Sequence, residues 1–229
     1  MNHAHLAWPE APPERVIAYQ GVPGAYSNLA CRERFPALVA APCPSFEDAF
    51  AAVREGRAGR AMIPVDNSVA GRVADVHHLM PHSGLHIVGE HFLRVNHQLL
   101  GLRGARLETI RTVESHVHAL GQCRNFLRKH KLAAVVAADT AGAAADVAMR
   151  GDPTRAAIAS TLAAEIYDLQ VLASDIEDAA HNTTRFLVLS REPQRPPLDG
   201  DPVVTTFVFR VRNVPAALYK ALGGFATNG

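Results

Sequence analysis

The 229-residue chain carries almost no net charge, has few cysteines and lacks any long apolar run. A formal net charge of +1 provides no general attraction to nucleic acid or anionic lipid, so neither is expected as a partner. The three cysteines, Cys31, Cys43 and Cys123, are odd in number and form no CxxC pair. That usage suits a reducing compartment and argues against a disulfide framework. Met1 to Glu14 holds three prolines and two histidines but no stretch apolar enough for a signal sequence. No later segment approaches the length of a membrane span. The expected location is the cytoplasm.

Several motifs are missing as well. There is no Walker A sequence, no dinucleotide fingerprint and no HExxH pattern, so no nucleotide, nicotinamide or metal cofactor is implied. Histidines are dense at His77, His78, His82, His86, His91 and His97. His82 and His86 have a four-residue spacing that suits a metal, but the nearby carboxylates offer no third ligand. Surface and structural roles are the simpler reading. Internal repeats and low-complexity tracts are absent too.

What is present is an ordinary globular composition, 48% hydrophobic and 20% charged. Short apolar runs at Val16 to Tyr19, Ala61 to Val65, Leu132 to Val136 and Phe186 to Leu189 read as strands. They alternate with helical stretches at Phe46 to Glu55, His116 to His130 and Thr140 to Arg150. Such alternation predicts an α/β fold with a largely parallel sheet. Arg191 to Pro202, with four prolines, reads as a linker. Beyond it, Val203 to Val211 reads as a strand. A helix is expected from near Pro215, a residue suited to a first helical turn, through Leu222. One strand and one helix cannot bury a core, so residues 203–229 look like the start of a second domain.

In open α/β sheets, ligands sit where strands end and helices begin. Four polar clusters fall at such places. Gln20 to Asn28 combines a glycine-rich turn with Ser27, close to an expected helix N-terminus. Asp66 to Arg72 contains Asn67 and Ser68, which hold polar ligands without adding charge. Ser115 is placed as a helix cap, and Gln122, nearly two turns on, would share its face. His181 to Phe186 leads into an apolar strand, along which Thr184 and Arg185 must face opposite sides. Taken singly, each cluster is as well explained by a turn, a helix cap or an edge-strand residue.

Together and in order, the clusters resemble the prephenate dehydratase family, over about Val16 to Ser190. Gly21-Val22-Pro23-Gly24-Ala25-Tyr26-Ser27 resembles the family's opening glycine-rich turn. Pro64-Val65-Asp66-Asn67-Ser68-Val69-Ala70-Gly71 resembles its Pro-x-Glu-Asn-Ser-x-x-Gly motif. Ser115 to Cys123 resembles the serine-histidine segment ending in Gln-Cys. Asn182-Thr183-Thr184-Arg185-Phe186 matches the Thr-Arg-Phe signature. The tail resembles the start of an ACT regulatory domain, with Pro215 to Leu218 at the Pro-Gly-Ala-Leu segment. There are departures: Asp66 replaces a glutamate, Val117 and His118 replace Pro-Gln, and Ala216 replaces a glycine.

The resemblance implies a type II periplasmic-binding-protein-like catalytic domain over residues 15–190, two α/β lobes facing across a cleft. Residues 1–14 would be a flexible extension, and the ferredoxin-like ACT domain would be incomplete. The implied activity is decarboxylative dehydration of prephenate to phenylpyruvate, without a cofactor. Arogenate dehydratase and a non-catalytic ligand sensor are the alternatives. Carried over by motif, Thr184, Asn67, Ser115 and Gln122 are the catalytic candidates. Ser27, Ser68, Thr183 and Arg185 are the substrate-binding candidates. A homo-oligomer is expected, and phenylalanine would act as an effector only with a complete ACT domain.

Overall fold

The computed structural model describes residues 8–195 and 203–228. The remainder of the expected N-terminal extension and most of the proline-rich linker lie outside the described residues. The chain starts with β1 (Val16–Gln20), α1 (Tyr26–Arg34), β2 (Val39–Cys43), α2 (Phe46–Arg54), β3 (Arg60–Asn67), β4 (Gly71–Arg72), α3 (Ala74–Leu79) and β5 (His86–Arg94). A second set follows: β6 (Gln98–Leu102), β7 (Thr112–Ser115), α4 (Val117–Gln122), α5 (Arg124–Lys129), β8 (Ala133–Val136), α6 (Thr140–Arg150), β9 (Arg155–Ala159), α7 (Thr161–Ile166) and β10 (Leu169–Ala173). The chain then returns to the first sheet as β11 (Thr183–Ser190) and ends in α8 (Ala217–Asn228).

The result is two α/β lobes. One sheet runs β2-β1-β3-β11-β5, with β4 paired to β3, and the other runs β10-β6-β9-β7-β8. The expected parallel pairing holds only around β1 and β7. Both sheets are mixed, because β11 pairs antiparallel with β3 and β5, and β6 does so with β9 and β10. In the first sheet the reason is the return strand β11: after visiting the second lobe, the chain re-enters from the opposite end. In the second sheet the reversed strand is β6, by which the chain enters. Each lobe has its own apolar core. Val16, Ala18 and Ile63 lie in the first, and Leu99, Val113 and Ile158 in the second.

The lobes are joined by two crossings, residues 95–97 and 174–182. They lie side by side: Val95 N–H donates to Asn182 O at 2.8 Å, and Ile176 N–H to His97 O at 3.0 Å. Asn96 Nδ2 donates to Asp175 Oδ1 at 2.7 Å across the same pair.

Other expectations change in the structure. The helix read over His116 to His130 is broken at Cys123 into α4 and α5. At the break, the Gln122 carbonyl accepts the Asp178 amide at 2.6 Å, a bond drawn from the second crossing rather than from the next helical turn. Part of residues 8–14 touches the first lobe. Trp8 and Ala11 pack on the first core, and Arg57 lies 4.9 Å over the Trp8 ring. Val203 to Val211 forms no strand, since it meets no partner among the described residues that completes a ladder. Phe207 and Phe209 instead lie beside Phe225 of α8, with ring centroids 5.4 and 6.3 Å away. Pro215 stands just outside α8 rather than in its first turn. No described helix is long and apolar enough to cross a membrane.

Candidate active site

The polar residues that meet do so where the two crossings run between the lobes. Asn67 ends β3, and its register partner across the sheet is Thr184 of β11. Its Oδ1 accepts the backbone amides of Val69 at 3.0 Å and Ala70 at 2.7 Å. A backbone N–H can only donate, so those two bonds fix which end of the Asn67 carboxamide is oxygen. Its Nδ2 therefore donates both hydrogens, to Thr184 Oγ1 at 2.9 Å and to Asn182 Oδ1 at 2.8 Å.

The polarity propagates. Asn182, buried on the second crossing, turns its Nδ2 to Gln122 Oε1 at 2.9 Å. The same oxygen lies 2.8 Å from His97 Nε2, so that nitrogen must carry a proton. On the far side of the ring, His97 Nδ1 is 2.8 Å from the Tyr26 hydroxyl of α1. Tyr26 also reaches Asn96 O at 3.0 Å, and Glu177 Oε2 accepts the His97 backbone N–H at 2.8 Å. One chain of side chains thus runs from Tyr26 through His97, Gln122, Asn182 and Asn67 to Thr184. Burial pushes the His97 pKa below its ordinary value, which favours the neutral ring; the Gln122 bond and the Glu177 charge oppose this. Burial also drives the Tyr26 phenol well above its usual range.

Two donors are left over. Thr184 accepts from Asn67 but donates to no group among the described residues, and Gln122 Nε2 likewise has no acceptor there. Both residues are partly exposed. A ligand with carboxylates and a hydroxyl would find two oriented donors here.

The other predicted residues are arranged differently. Ser115 ends β7 rather than capping α4; the cap is His116, whose Nδ1 accepts from His118 N–H. The Ser115 hydroxyl is fully buried and donates to Ile158 O at 2.6 Å, tying β7 to β9. Ser68 Oγ donates to His181 O at 2.6 Å and accepts the Thr183 amide at 3.0 Å, so it fastens β4's turn to the start of β11. Thr183 is partly exposed one residue from Thr184. Ser27 is buried in the first turn of α1 and makes no side-chain hydrogen bond among the described residues. Arg185 faces away from Thr184, as strand alternation requires. It pairs with Glu90 of β5, with an Nη2 to Oε2 distance of 2.7 Å, and also reaches Thr206 of the tail at 3.4 Å. Asp66 is exposed, so its replacement of a glutamate lies outside the chain.

Sequence reasoning passed over His97, Asn182 and Tyr26. Asn182 and Tyr26 stand inside quoted motifs. The available signal for His97 was its place immediately before the apolar strand Gln98 to Leu102, unlike the histidines clustered earlier.

The glycine-rich turn has a packing role. Gly24 has φ of 89°, and a Cβ there would lie 2.9 Å from Ala163 Cα in the other lobe. Ser160 Oγ donates to Gly24 O at 2.6 Å and Tyr167 OH to Pro23 O at 2.8 Å. The turn is thereby pinned to the second lobe, which also places Tyr26 against His97. Other cavities lie away from these residues. One of about 770 Å³ is lined by Met80 to Ile87 and Thr206 to Arg210, without a comparable polar chain.

Two α/β lobes joined by paired crossings, with oriented polar donors at the junction, make a two-lobed α/β protein with a candidate small-molecule site between its lobes. Comparison with known proteins is more specific. The chain belongs to the prephenate dehydratase family, whose model matches residues 17–194. It is 51% identical over 216 residues to a bifunctional N-acyl-homoserine lactone acylase/prephenate dehydratase of Komagataeibacter europaeus, covering 94% of this chain and 77% of that protein. It is 44% identical to arogenate dehydratase/prephenate dehydratase 1, chloroplastic, of Arabidopsis thaliana, covering 92% of this chain but only 53% of the plant protein. A solved prephenate dehydratase from Arthrobacter aurescens, in complex with L-Phe, superposes with a TM-score of 0.78 at 29% identity, covering 93% of this chain and 72% of that one.

Proposed function

We propose that the chain catalyses the decarboxylative dehydration of prephenate to phenylpyruvate. The observation that carries this reading is the spent hydrogens of Asn67. Both are committed, one of them to Thr184, so the Thr184 proton is left for the substrate. Prephenate loses a ring carboxylate and a ring hydroxyl. The bond to the carboxylate breaks as CO2 leaves, its electron pair enters the ring, and the C–O bond breaks to give an aromatic product. The departing hydroxide needs a proton, and Thr184 supplies it directly or as the last link of a relay refilled from water. A threonine is a poor acid. It acts here through a fixed donor geometry and through the Asn67 N–H held against its oxygen, which stabilises charge developing there.

Gln122 Nε2 is suited to a substrate carboxylate, with Thr183 and Ser27 as flanking polar groups. Ser115, Ser68 and Arg185 support the site through the strands they tie together. Residues 203–229 are read as the start of an ACT-type regulatory domain. Its exposed apolar residues, Val204 and Tyr219 among them, suit assembly into an oligomer. The free cysteines suit the cytoplasm.

Prephenate is favoured over arogenate only by the family's name, since the two differ in one keto or amino group remote from the ring hydroxyl. The acylase activity in the name of the Komagataeibacter relative has less support from the geometry. The three thiols are buried, with Cys43 pushed up to about 11, and the Ser115 hydroxyl is enclosed. The test is aromatic-product formation by the purified chain from prephenate and from arogenate, without added cofactor. A larger kcat/KM for prephenate supports the reading. A larger value for arogenate reassigns the substrate, and turnover of neither removes the function.

A further inference from the structure

We propose that His97 is a positioning residue: through its Nε2–H it holds the Gln122 carboxamide with both amide hydrogens turned toward the substrate. The inference rests on the dehydratase reading only for what the substrate is; the geometry itself is independent of it.

Gln122 is the last residue of α4 and belongs to the second lobe. By itself, its carboxamide has two orientations related by a half-turn. Two donors converge on Oε1, Asn182 Nδ2 at 2.9 Å and His97 Nε2 at 2.8 Å, and they come from different crossings. In the flipped orientation Asn182 Nδ2 would face an NH2 group and lose its acceptor, and His97 Nε2 could accept from that group only by moving its proton to Nδ1. A buried donor without an acceptor is costly, so the orientation that satisfies both donors dominates. The direction of the Asn182 bond is dictated from Asn67 and ultimately by the Val69 and Ala70 amides. His97 adds the second donor and is held from behind. The Tyr26 hydroxyl occupies Nδ1, the ring of Tyr26 meets it edge-on at 5.5 Å, and Glu177 takes its backbone N–H.

The charged and titratable groups around the ring are Tyr26 from α1 and Glu177 from the second crossing. Asp175 lies one step further out, bonded to Asn96 and Gln98. None competes for Nε2. The Nε2–H form is therefore required by the donor pattern, and a second proton on Nδ1 leaves it in place, because the Tyr26 hydrogen then serves Asn96 O. His97 is 2% exposed and does not reach the substrate side itself. Its effect is exerted through Gln122.

Two measurements test this. Long-range ¹H–¹⁵N spectra of the ¹⁵N-histidine-labelled chain, with His97→Gln used to assign the resonance, report the tautomer without any turnover. A protonated Nε2 is expected, and a neutral ring protonated on Nδ1 overturns the proposal. Steady-state kinetics on prephenate then read the consequence. His97→Leu should raise KM about tenfold or more with a smaller change in kcat, because a donor to a carboxylate is misdirected. His97→Gln, which returns an N–H near the Nε2 position, should recover most of the loss. Unchanged KM with reduced kcat in His97→Leu, or no recovery in His97→Gln, means that His97 only supports the fold and overturns the proposal. If the unaltered chain turns over no prephenate, the substrate reading fails, while the tautomer measurement still decides the positioning claim.

Discussion

Asn67 and Thr184 face each other across the β3–β11 pair, joined by a 2.9 Å hydrogen bond in which the carboxamide donates and the hydroxyl accepts. The bond leaves the Thr184 proton uncommitted. Thr184→Ala removes proton and oxygen together and should lower kcat by about 100-fold or more, the usual scale of a lost proton donor. The thermal midpoint should hardly move, because the site is partly exposed. Thr184→Ser keeps the hydroxyl and should recover part of the rate. Near-normal turnover by the alanine variant would remove Thr184 from the mechanism.

Arg185, one residue on, is expected to be structural. Its pair with Glu90 is about one-third exposed on each side, so a double-mutant cycle on stability should give about 0.2–1 kcal/mol. Arg185→Met and Glu90→Gln should have similar, small effects on KM. A large rise in KM with Arg185→Met alone would return Arg185 to the substrate side.

Gly24 packs directly against Ala163 of the second lobe. Gly24→Ala places a methyl against the Ala163 backbone and strains a φ of 89°. A loss of roughly 1–3 kcal/mol in urea unfolding is expected. Stability equal to the parent would mean that the turn moves freely from α7.

Ala216 stands where the resembled family has glycine, and it adopts φ of 62° just ahead of α8. A left-handed alanine costs about 1 kcal/mol that glycine does not. Ala216→Gly should therefore increase hydrogen-exchange protection in the first turn of α8. Reduced protection there would show that the turn gains more from alanine's restricted unfolded state than it loses to strain.

His97 ties stability to pH. Burial lowers its pKa from an ordinary 6.5, so the folded chain holds that proton more weakly than the unfolded one. Unfolding takes up a proton below that value, and the His97 contribution is full above it and lost as pH falls toward the folded pKa. The urea midpoint should be lower at about pH 5 than at about pH 7.5, and this difference should shrink in His97→Gln. An equal difference in the variant would place the dependence on other groups.

Much of this was legible before any coordinates. The apolar runs marked β1, β3, β8 and β11, and Thr140 to Arg150 appeared as α6 with its ends in place. The motifs single out Asn67, Gln122 and Thr184, and all three lie on the polar chain. What was not legible depended on long-range bonds. The break at Cys123 follows from an amide 55 residues further on, Asp178 to Gln122 O. Ser115 and Gln122 looked like one helix face, yet one residue is walled inside a strand while the other ends the helix.

By itself the sequence determined the α/β class, the family resemblance and which polar residue types lay at strand ends. These are local matters of hydrophobic period, turn chemistry and motif order. Only the tertiary structure decided how the sheets mix, which side of β11 faces the second lobe and which hydrogen of which carboxamide remains free. A hydrogen bond has a direction, and the direction of each link here is set by its neighbour, from the Val69 and Ala70 amides to the ring of His97. Partners more than a hundred residues apart in sequence, such as Asn67 and Asn182, carry that information only once the fold has brought them together.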